Sequence, residues 1–342
     1  AVSVANLAPI LIGGAAAGLA DDQLGMLVQR ALLIAGIGTP IPLSPLWRGV
    51  LISVALAAIL LALNQIMNLG FFVGKVMLDT QYLYVLCALL AGCVFILVPA
   101  NKQAKHDGVP WYDALLFAAN VAVFGYYAFN AHQIISEGWE FAAPPIAVGV
   151  AYVGWLVLLE ATRRAGGTAV FVVVAFFSIY PVIAGHMPGP ISGLPQPLST
   201  TAAYHFASSE SVLGIPTRAF GELVIGFVMF GAVLQYTGAA HFFNNIAFAM
   251  FGGVRGGPAK VSIFASGLMG SVSGSVVSNV LTTGVVTIPA MKRIGFSPAY
   301  AGGVEACAST GGVLMPPVMG ATAFVMASFL GVPYITVALA AL

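Results

Sequence analysis

Residues 261–317 read VSIFASGLMGSVSGSVVSNVLTTGVVTIPAMKRIGFSPAYAGGVEACASTGGVLMPP. The first part, 261–291, is apolar at both ends. Its middle is small or hydroxylated, with Gly270, Ser271, Ser273, Gly274, Ser275, Ser278, Asn279, Thr282 and Thr283. It carries no charge; Arg255 and Lys260 precede it, and Lys292 and Arg293 follow it. Basic residues favour the cytoplasmic face of a membrane, so a segment flanked by bases at both ends enters and leaves on one side. A straight transmembrane helix cannot do that, whereas a re-entrant hairpin can. A turn near Gly274 gives arms of about 13–15 residues, each ~20 Å long at the helical rise. Such arms reach past the middle of a hydrocarbon core about 30 Å thick. Backbone that leaves helical form at that depth must be satisfied by protein or by a watery cavity. The Ser/Gly tip is therefore a candidate site by position and chemistry together.

Composition sets the class. The 342 residues are 60% hydrophobic and 7% charged, with mean hydropathy +0.99, against about 25% charge in a soluble domain. The expectation is an all-α polytopic membrane protein, seated in the lipid bilayer, with a re-entrant helical hairpin and a discontinuous helix. The net charge is +1, and no basic patch suits nucleic acid. Cys87, Cys93 and Cys307 lie in apolar runs without metal or CxxC spacing and read as small core residues. His106, His132, His186, His205 and His241 are scattered, none paired at metal-ligand spacing, so no resident metal and no cofactor is expected. The chain starts with Ala and ends inside ITVALAAL. Both ends read as cut points, and no basic n-region marks a signal peptide.

Residues 1–46 hold two short apolar runs around Asp21 and Asp22 and stay unassigned. Beyond Trp47, apolar spans are expected at about 49–69, 81–99, 111–133, 144–160, 168–187 and 223–250. Bases recur in every second loop (Arg48; Lys102 and Lys105; Arg163 and Arg164; Arg255 and Lys260), which places those loops in the cytoplasm. The long loop 188–222 then faces outside. Pro188, Pro190, Pro195 and Pro197 exclude regular helix from its first half. It reads as an external docking surface, a short helix lying on the membrane, or a packed surface loop. Asn64, Gln65 and Asn68 read as helix–helix hydrogen-bonding groups, and Glu160 as an intrahelical partner of Arg163 and Arg164.

After the hairpin, Ser297-Pro298 signals a helix start, with Ser as N-cap and Pro at the first helical position. The apolar stretch 298–330 is too long for one straight span. It is expected to break at Ser309-Thr310-Gly311-Gly312 and again at Pro316-Pro317, giving a discontinuous helix. Two irregular segments at one depth expose helix ends with partial charges, and their carbonyls and hydroxyls can replace water around Na⁺. Transporters with broken helices use this design. Glu305 is the only acid in 261–330. It reads either as a proton-coupling or substrate-linked carboxylate or as a partner for Lys292 or Arg293 near the interface, and the second reading is preferred.

The run from Gly256 to Tyr334 resembles the large membrane component of tripartite ATP-independent periplasmic (TRAP) transporters. More narrowly it resembles the TAXI type, in which small and large components are fused. LLEATRR (158–164) and GIPTRAFGELVIGFVMFGAVLQYTGAAHFF (214–243) are similar to that family too. The resemblance implies domains at 47–165 (four-helix, small-component-like) and 166–342 (the first half of the large component, truncated). It implies a multi-pass protein of the bacterial inner membrane with an elevator mechanism, half of an inverted-repeat fold. A periplasmic TAXI-type binding protein would deliver a small-molecule carboxylate, and an ion gradient, Na⁺ first, would drive import. The ion and substrate site carried over is Ser271, Ser273, Gly274, Ser275 and Asn279 at the tip, with Ser309, Thr310, Gly311, Gly312, Pro316 and Pro317 at the break. Proton-coupled transport through Glu305 is the alternative.

Other classes fit less well. An intramembrane serine protease would use Ser273-Gly274, but Ser271 stands where its motif needs Gly, and no His follows His241 to serve as base. A channel filter would repeat around a symmetric pore. A non-transporting scaffold is the third alternative. The topology is testable directly. Single cysteines at Ala259 and Ser297, in a background lacking native Cys, should react with an impermeant thiol reagent from the same side of oriented vesicles. Labelling from opposite sides would end the hairpin reading.

Overall fold

The computed structural model describes residues 44–70, 76–100, 109–226, 237–317 and 319–341. Expectations for residues 1–43, for Lys102 and Lys105, and for 227–236 lie outside these. Among the described residues every regular element is helical. Four stretches among the described residues are long and apolar enough to cross a membrane: Pro45–Ile66, Asp79–Leu97, Trp111–Phe129 and Pro145–His186. The protein is thus an all-α, polytopic membrane protein. The described residues fall into two compact units, one running to Gly221 and the other starting at Glu222.

In the first unit α1 (Pro45–Ile66), α2 (Asp79–Leu90), α3 (Cys93–Leu97) and α4 (Trp111–Phe129) are followed by two short helices, α5 (Ala131–Glu137) and α6 (Trp139–Ala142). Pro45 and Pro145 stand in the first turns of their helices, where a missing N–H costs nothing. Then comes α7 (Pro145–Ile183), in which only Gly167 leaves helical angles, at φ 80 and ψ 174. Trp155 Nε1 donates to Ser178 Oγ at 3.1 Å. Residues this far apart in one straight helix would be separated by about 34 Å, so α7 folds back at Gly167 into two arms. The two expected spans are present. The expected loop 161–167 shrinks to one glycine, because Glu160 pairs with Arg163 and Arg164 at i,i+3 and i,i+4 and carries the helix through.

Loop 188–222 holds a 3₁₀ turn, Gly189–Ile191, and otherwise irregular chain where its prolines cluster, and then forms α8 (Leu198–Ala207) and α9 (Ile215–Ala219). Helix α8 packs on α6 and α7 and buries Thr201, Ala202, Ala203 and Phe206. A methyl on Gly154 of α7 would come within 2.4 Å of Phe206 Cζ. The second half of this loop is therefore a packed helix and does not lie free on a membrane surface.

The first unit is pinned by a buried ion pair. Arg164 Nη1 lies 2.7 Å from Asp113 Oδ1, with both side chains 2% exposed. The same guanidinium donates to the Val98 carbonyl at 3.2 Å and sits 5.1 Å from the Phe95 ring. One side chain thus ties α3, α4 and α7. Removing Arg164 leaves the buried Asp113 charge without this cation, whereas Arg164 itself also holds Glu160. Arg164→Met should destabilise the protein by about 3–5 kcal/mol, while the double change Arg164→Met with Asp113→Leu should recover most of that. Thermal unfolding in detergent would check it; equal loss in both variants would refute the role.

In the second unit α10 (Ala239–Phe251) packs on α11 (Gly257–Ser273). Helix α11 pairs with α12 (Val276–Arg293), and α13 (Pro298–Gly312) packs against both. After a break come α14 (Ala321–Leu330) and α15 (Tyr334–Ala340), bent by 116° where they join. Phe324 and Tyr334 stack there at 4.2 Å.

Candidate functional site

Sequence chemistry explains each turn around the site. Helix α11 starts after Gly256 with Pro258 in its first turn and ends at Gly274, whose φ of 59 belongs to the left-handed region. The Gly274 N–H still donates to the Gly270 carbonyl at 3.0 Å, a helix-terminating bond that a glycine permits without strain. The chain resumes as α12 at Val276, so the hairpin turns at Gly274 as the sequence predicts. The Ser297 hydroxyl caps α13 by accepting from the Tyr300 N–H at 3.3 Å.

The break after α13 sits later than expected. Ser309, Thr310, Gly311 and Gly312 all remain helical, and the chain is irregular at 313–317 and 319–320. Glycines lower helix propensity without removing a donor, whereas two adjacent prolines remove two; the prolines decide the position. Gly320 N–H donates to the Val313 carbonyl at 3.0 Å and closes the segment. Tyr334 Oη donates to the Pro317 carbonyl at 2.8 Å and fastens it to α15.

Hairpin and break lie against each other, backbone to backbone. A Cβ on Gly270 would stand 2.4 Å from the carbonyl carbon of Gly312, and one on Gly312 would stand 2.2 Å from the Ser266 oxygen. A Cβ on Gly274 would meet the Met319 oxygen at 2.4 Å. No side chain fits these approaches.

Behind them lies a polar core. Glu305 is 0% exposed. Its Oε2 accepts from Ser262 at 2.7 Å and from Thr287; its Oε1 accepts from Thr283, from Ser266 at 3.1 Å and from Ser309 at 3.2 Å. Lys292 and Arg293 are exposed at the end of α12. The reading of Glu305 as their surface partner is therefore corrected. Two turns into α13, its side chain faces the inner sides of α11 and α12. Beside this cluster Asn279, also 0% exposed, donates from Nδ2 to the Ser266 carbonyl at 2.8 Å. Its Oδ1 is buried and has no hydrogen-bond partner among the described residues.

The structure thus brings Asn279 and Gly312 together, while Gly274 lies against Met319. Ser271 is buried but spends its hydroxyl on the Leu268 carbonyl at 2.8 Å. Ser273 and Ser275 are half-buried and touch each other only at 3.4–3.5 Å. Ser309 turns to Glu305, so its hydroxyl belongs to that cluster. Thr310 is exposed and donates to the Ala306 carbonyl at 2.7 Å, away from the hairpin. Gly311 and Pro317 are exposed and Pro316 half-buried. Ser262, Ser266, Thr283 and Thr287 escaped the sequence reading as site residues. The signal was there: 262/266, 283/287 and 305/309 are three i,i+4 polar pairs on three consecutive helices, each one helix face.

With this geometry in hand, comparison with known proteins is decisive for the family. Residues 153–342, more than half of the chain, match the family described as "Tripartite ATP-independent periplasmic transporter, DctM component". The chain belongs to the DctM family of TRAP transporter large permeases. It is 32% identical over 123 residues to a C4-dicarboxylate TRAP transporter large permease protein of Rhodobacter capsulatus, covering 35% of this chain and 26% of that one. It is 27% identical over 165 residues to a sialic acid TRAP transporter large permease protein of Vibrio cholerae, covering 48% and 34%. A third relative, the isethionate TRAP transporter permease protein DctMQ of Oleidesulfovibrio alaskensis, is 28% identical over 123 residues, covering 35% and 18%. The chain spans about a quarter of the length of the first curated relatives it matches, at 26% and 27%. No solved structure matches it significantly.

The close approaches give a ranked prediction for the full-length permease. Gly270→Ala, Gly274→Ala and Gly312→Ala should each lower stability by about 1–3 kcal/mol through overpacking, with strain added at Gly274. Ser273→Ala, which removes only long contacts, should change it by less than about 0.5 kcal/mol. Melting temperatures in detergent order the four variants; a Ser273→Ala loss matching the glycine variants would contradict the geometry.

Proposed function

We propose that the full-length protein is the membrane permease of a TAXI-type TRAP transporter, with small-component-like helices fused ahead of the large component. It would import a small organic acid across the bacterial inner membrane. A periplasmic TAXI-type binding protein would deliver the acid, and a Na⁺ gradient would drive entry by an elevator movement. The fusion reading draws support from three apolar stretches, Pro45–Ile66, Asp79–Leu97 and Trp111–Phe129, that precede the family match at 153. The organic-acid reading draws on relatives named for C4-dicarboxylate, sialic acid and isethionate.

One observation carries the ion assignment. The Oδ1 of Asn279 is a buried acceptor without a partner among the described residues, beside the close approach of Gly312 to the hairpin. A buried unsatisfied acceptor costs about 1–3 kcal/mol, and a cation brought in from solution would remove that cost. Asn279 Oδ1 and carbonyl oxygens of the Gly274 turn and of residues 313–317 and 319–320 are neutral ligands suited to a monovalent cation. The start of α14 at Ala321 adjoins Met319, which Gly274 touches. Its positive helix end favours a substrate carboxylate next to the cation.

The test is uptake by the reconstituted full-length protein. Uptake should require both the binding protein and an inward Na⁺ gradient. Asn279→Ala should raise the Na⁺ concentration for half-maximal uptake about tenfold, equivalent to ~1.4 kcal/mol. Full uptake under a proton gradient in Na⁺-free medium would overturn the Na⁺ assignment.

A further inference from the structure

The Glu305 cluster takes no part in the Na⁺ site proposed above. It is a fully buried carboxyl surrounded by hydroxyls from three helices. Ser262 and Ser266 come from α11, Thr283 and Thr287 from α12, and Ser309 from α13. Among the described residues no Lys, Arg or His pairs with it. The other titratable or charged side chains on α11, α12 and α13 are Lys260, Lys292, Arg293, Tyr300 and Cys307, all exposed. On α10, packed against α11, His241 is exposed as well. An unpaired acid in a protein interior is costly, and membrane proteins keep such groups where they work. A merely structural knot of this shape could be made from hydroxyls and an amide.

We infer that Glu305 and its hydroxyl ring form a proton-binding site that exchanges one proton between a neutral and an ionised carboxyl inside the hairpin–α13 packing. This goes beyond the transport reading and does not depend on it.

Two features of the geometry support a proton as the ligand. The first is the hydrogen inventory. Each Ser or Thr hydroxyl carries one proton and can both donate and accept. Thr283 Oγ1 reaches the Asn279 carbonyl at 2.8 Å as well as Glu305, and Thr287 Oγ1 reaches the Thr283 carbonyl at 3.1 Å as well as Glu305. Ser266 Oγ and Thr283 Oγ1 lie 3.1 Å apart, so either can serve the other. With Glu305 ionised, the hydroxyl protons turn inward and solvate it. With Glu305 neutral, its own O–H donates to one hydroxyl, and the threonines turn to their helix carbonyls. Both states are satisfied by rotating O–H bonds while heavy atoms stay in place. Uptake makes one O–H bond on the carboxyl and breaks one in water; release reverses this.

The second feature is room. The hydroxyl oxygens already sit at hydrogen-bond distance from the carboxyl, and a methyl on Gly284 would lie 3.1 Å from Glu305 Cγ. A hard cation needs several oxygens at about 2.0–2.6 Å around a cavity of its own. A proton needs none.

Infrared difference spectroscopy on the full-length permease in lipid membranes tests this without substrate or transport. Lowering the pH stepwise should bring up the carbonyl-stretch band of a carboxylic acid. That band should be absent in Glu305→Gln and unchanged when choline replaces Na⁺ at fixed pH. Ser262→Ala with Thr287→Val, which keeps the carboxyl and removes both donors to Oε2, should displace the band's pH midpoint. Four results would overturn the proposal. Three are no Glu305-dependent band at any pH, a Glu305-dependent band that never changes with pH, and a band that Na⁺ abolishes at fixed pH. The fourth is an unmoved midpoint in the double variant, which stays informative if Glu305→Gln fails to fold. Loss of the infrared signal leaves the transport reading standing, and absence of uptake leaves the infrared signal readable.

Discussion

The second unit depends on how one buried carboxyl is satisfied. Glu305 cannot reach water, so its lone pairs must find donors inside. The donors come from both arms of the hairpin and from its own helix. Each such bond to an ionisable group is stronger than a neutral one, and together they set the rotation of α13 about its axis. Turning α13 by one residue, about 100°, would move Glu305 off the hydroxyls and strand it. The carboxyl therefore specifies which face of α13 meets the hairpin. The glycine face that allows Gly312 to touch Ser266 and Gly270 follows from the same rotation. Polar specificity and close packing are two readings of one helix orientation.

That close packing brings the irregular segments together. Lipid offers no hydrophobic drive between helices, so small residues that let backbones approach are the main means of holding them. At Gly270 and Gly312 the approach leaves no space for a Cβ, and Gly274 adds a backbone angle that L-residues avoid. The hairpin turn then falls against Met319 and Gly320, at the far end of the break. Carbonyls and helix ends that would otherwise face lipid face one another.

Much of this was legible in the sequence. The charge-free 261–291 between basic flanks predicted the hairpin, Gly274 its turn, and Ser297-Pro298 the start of α13. Each rests on a local rule: a left-handed glycine, a capping hydroxyl, a proline at the first turn. What was missed depends on tertiary orientation. Ser309 to Gly312 read as the break because small residues resemble loop in one dimension, yet a helix packed along its 301, 305, 309 and 312 face tolerates them. The turn at Gly167 read as a seven-residue loop because the ion pairs that keep 161–166 helical form only once Glu160 and the arginines share a face. Glu305 read as an interface residue because its depth along α13 was visible and its direction was not. The three i,i+4 polar pairs on successive helices contained that direction, since polar residues sharing a face inside an apolar protein must face each other.

The carboxyl and the orphaned amide are not separate features. Ser266 donates its hydroxyl to Glu305 and gives its carbonyl to Asn279 Nδ2. Thr283 lies between the Asn279 carbonyl and Glu305 with a single proton to offer. A change in where the Thr283 proton points is felt on both sides, and so is a shift of the Ser266 backbone. Coupling between two sites needs an element with two arrangements that each site biases. The Thr283 hydroxyl is such an element, with two acceptors and one proton. Whatever occupies the space beside Asn279 and whatever proton Glu305 holds act on the same two residues, and those residues belong to the two arms of the hairpin.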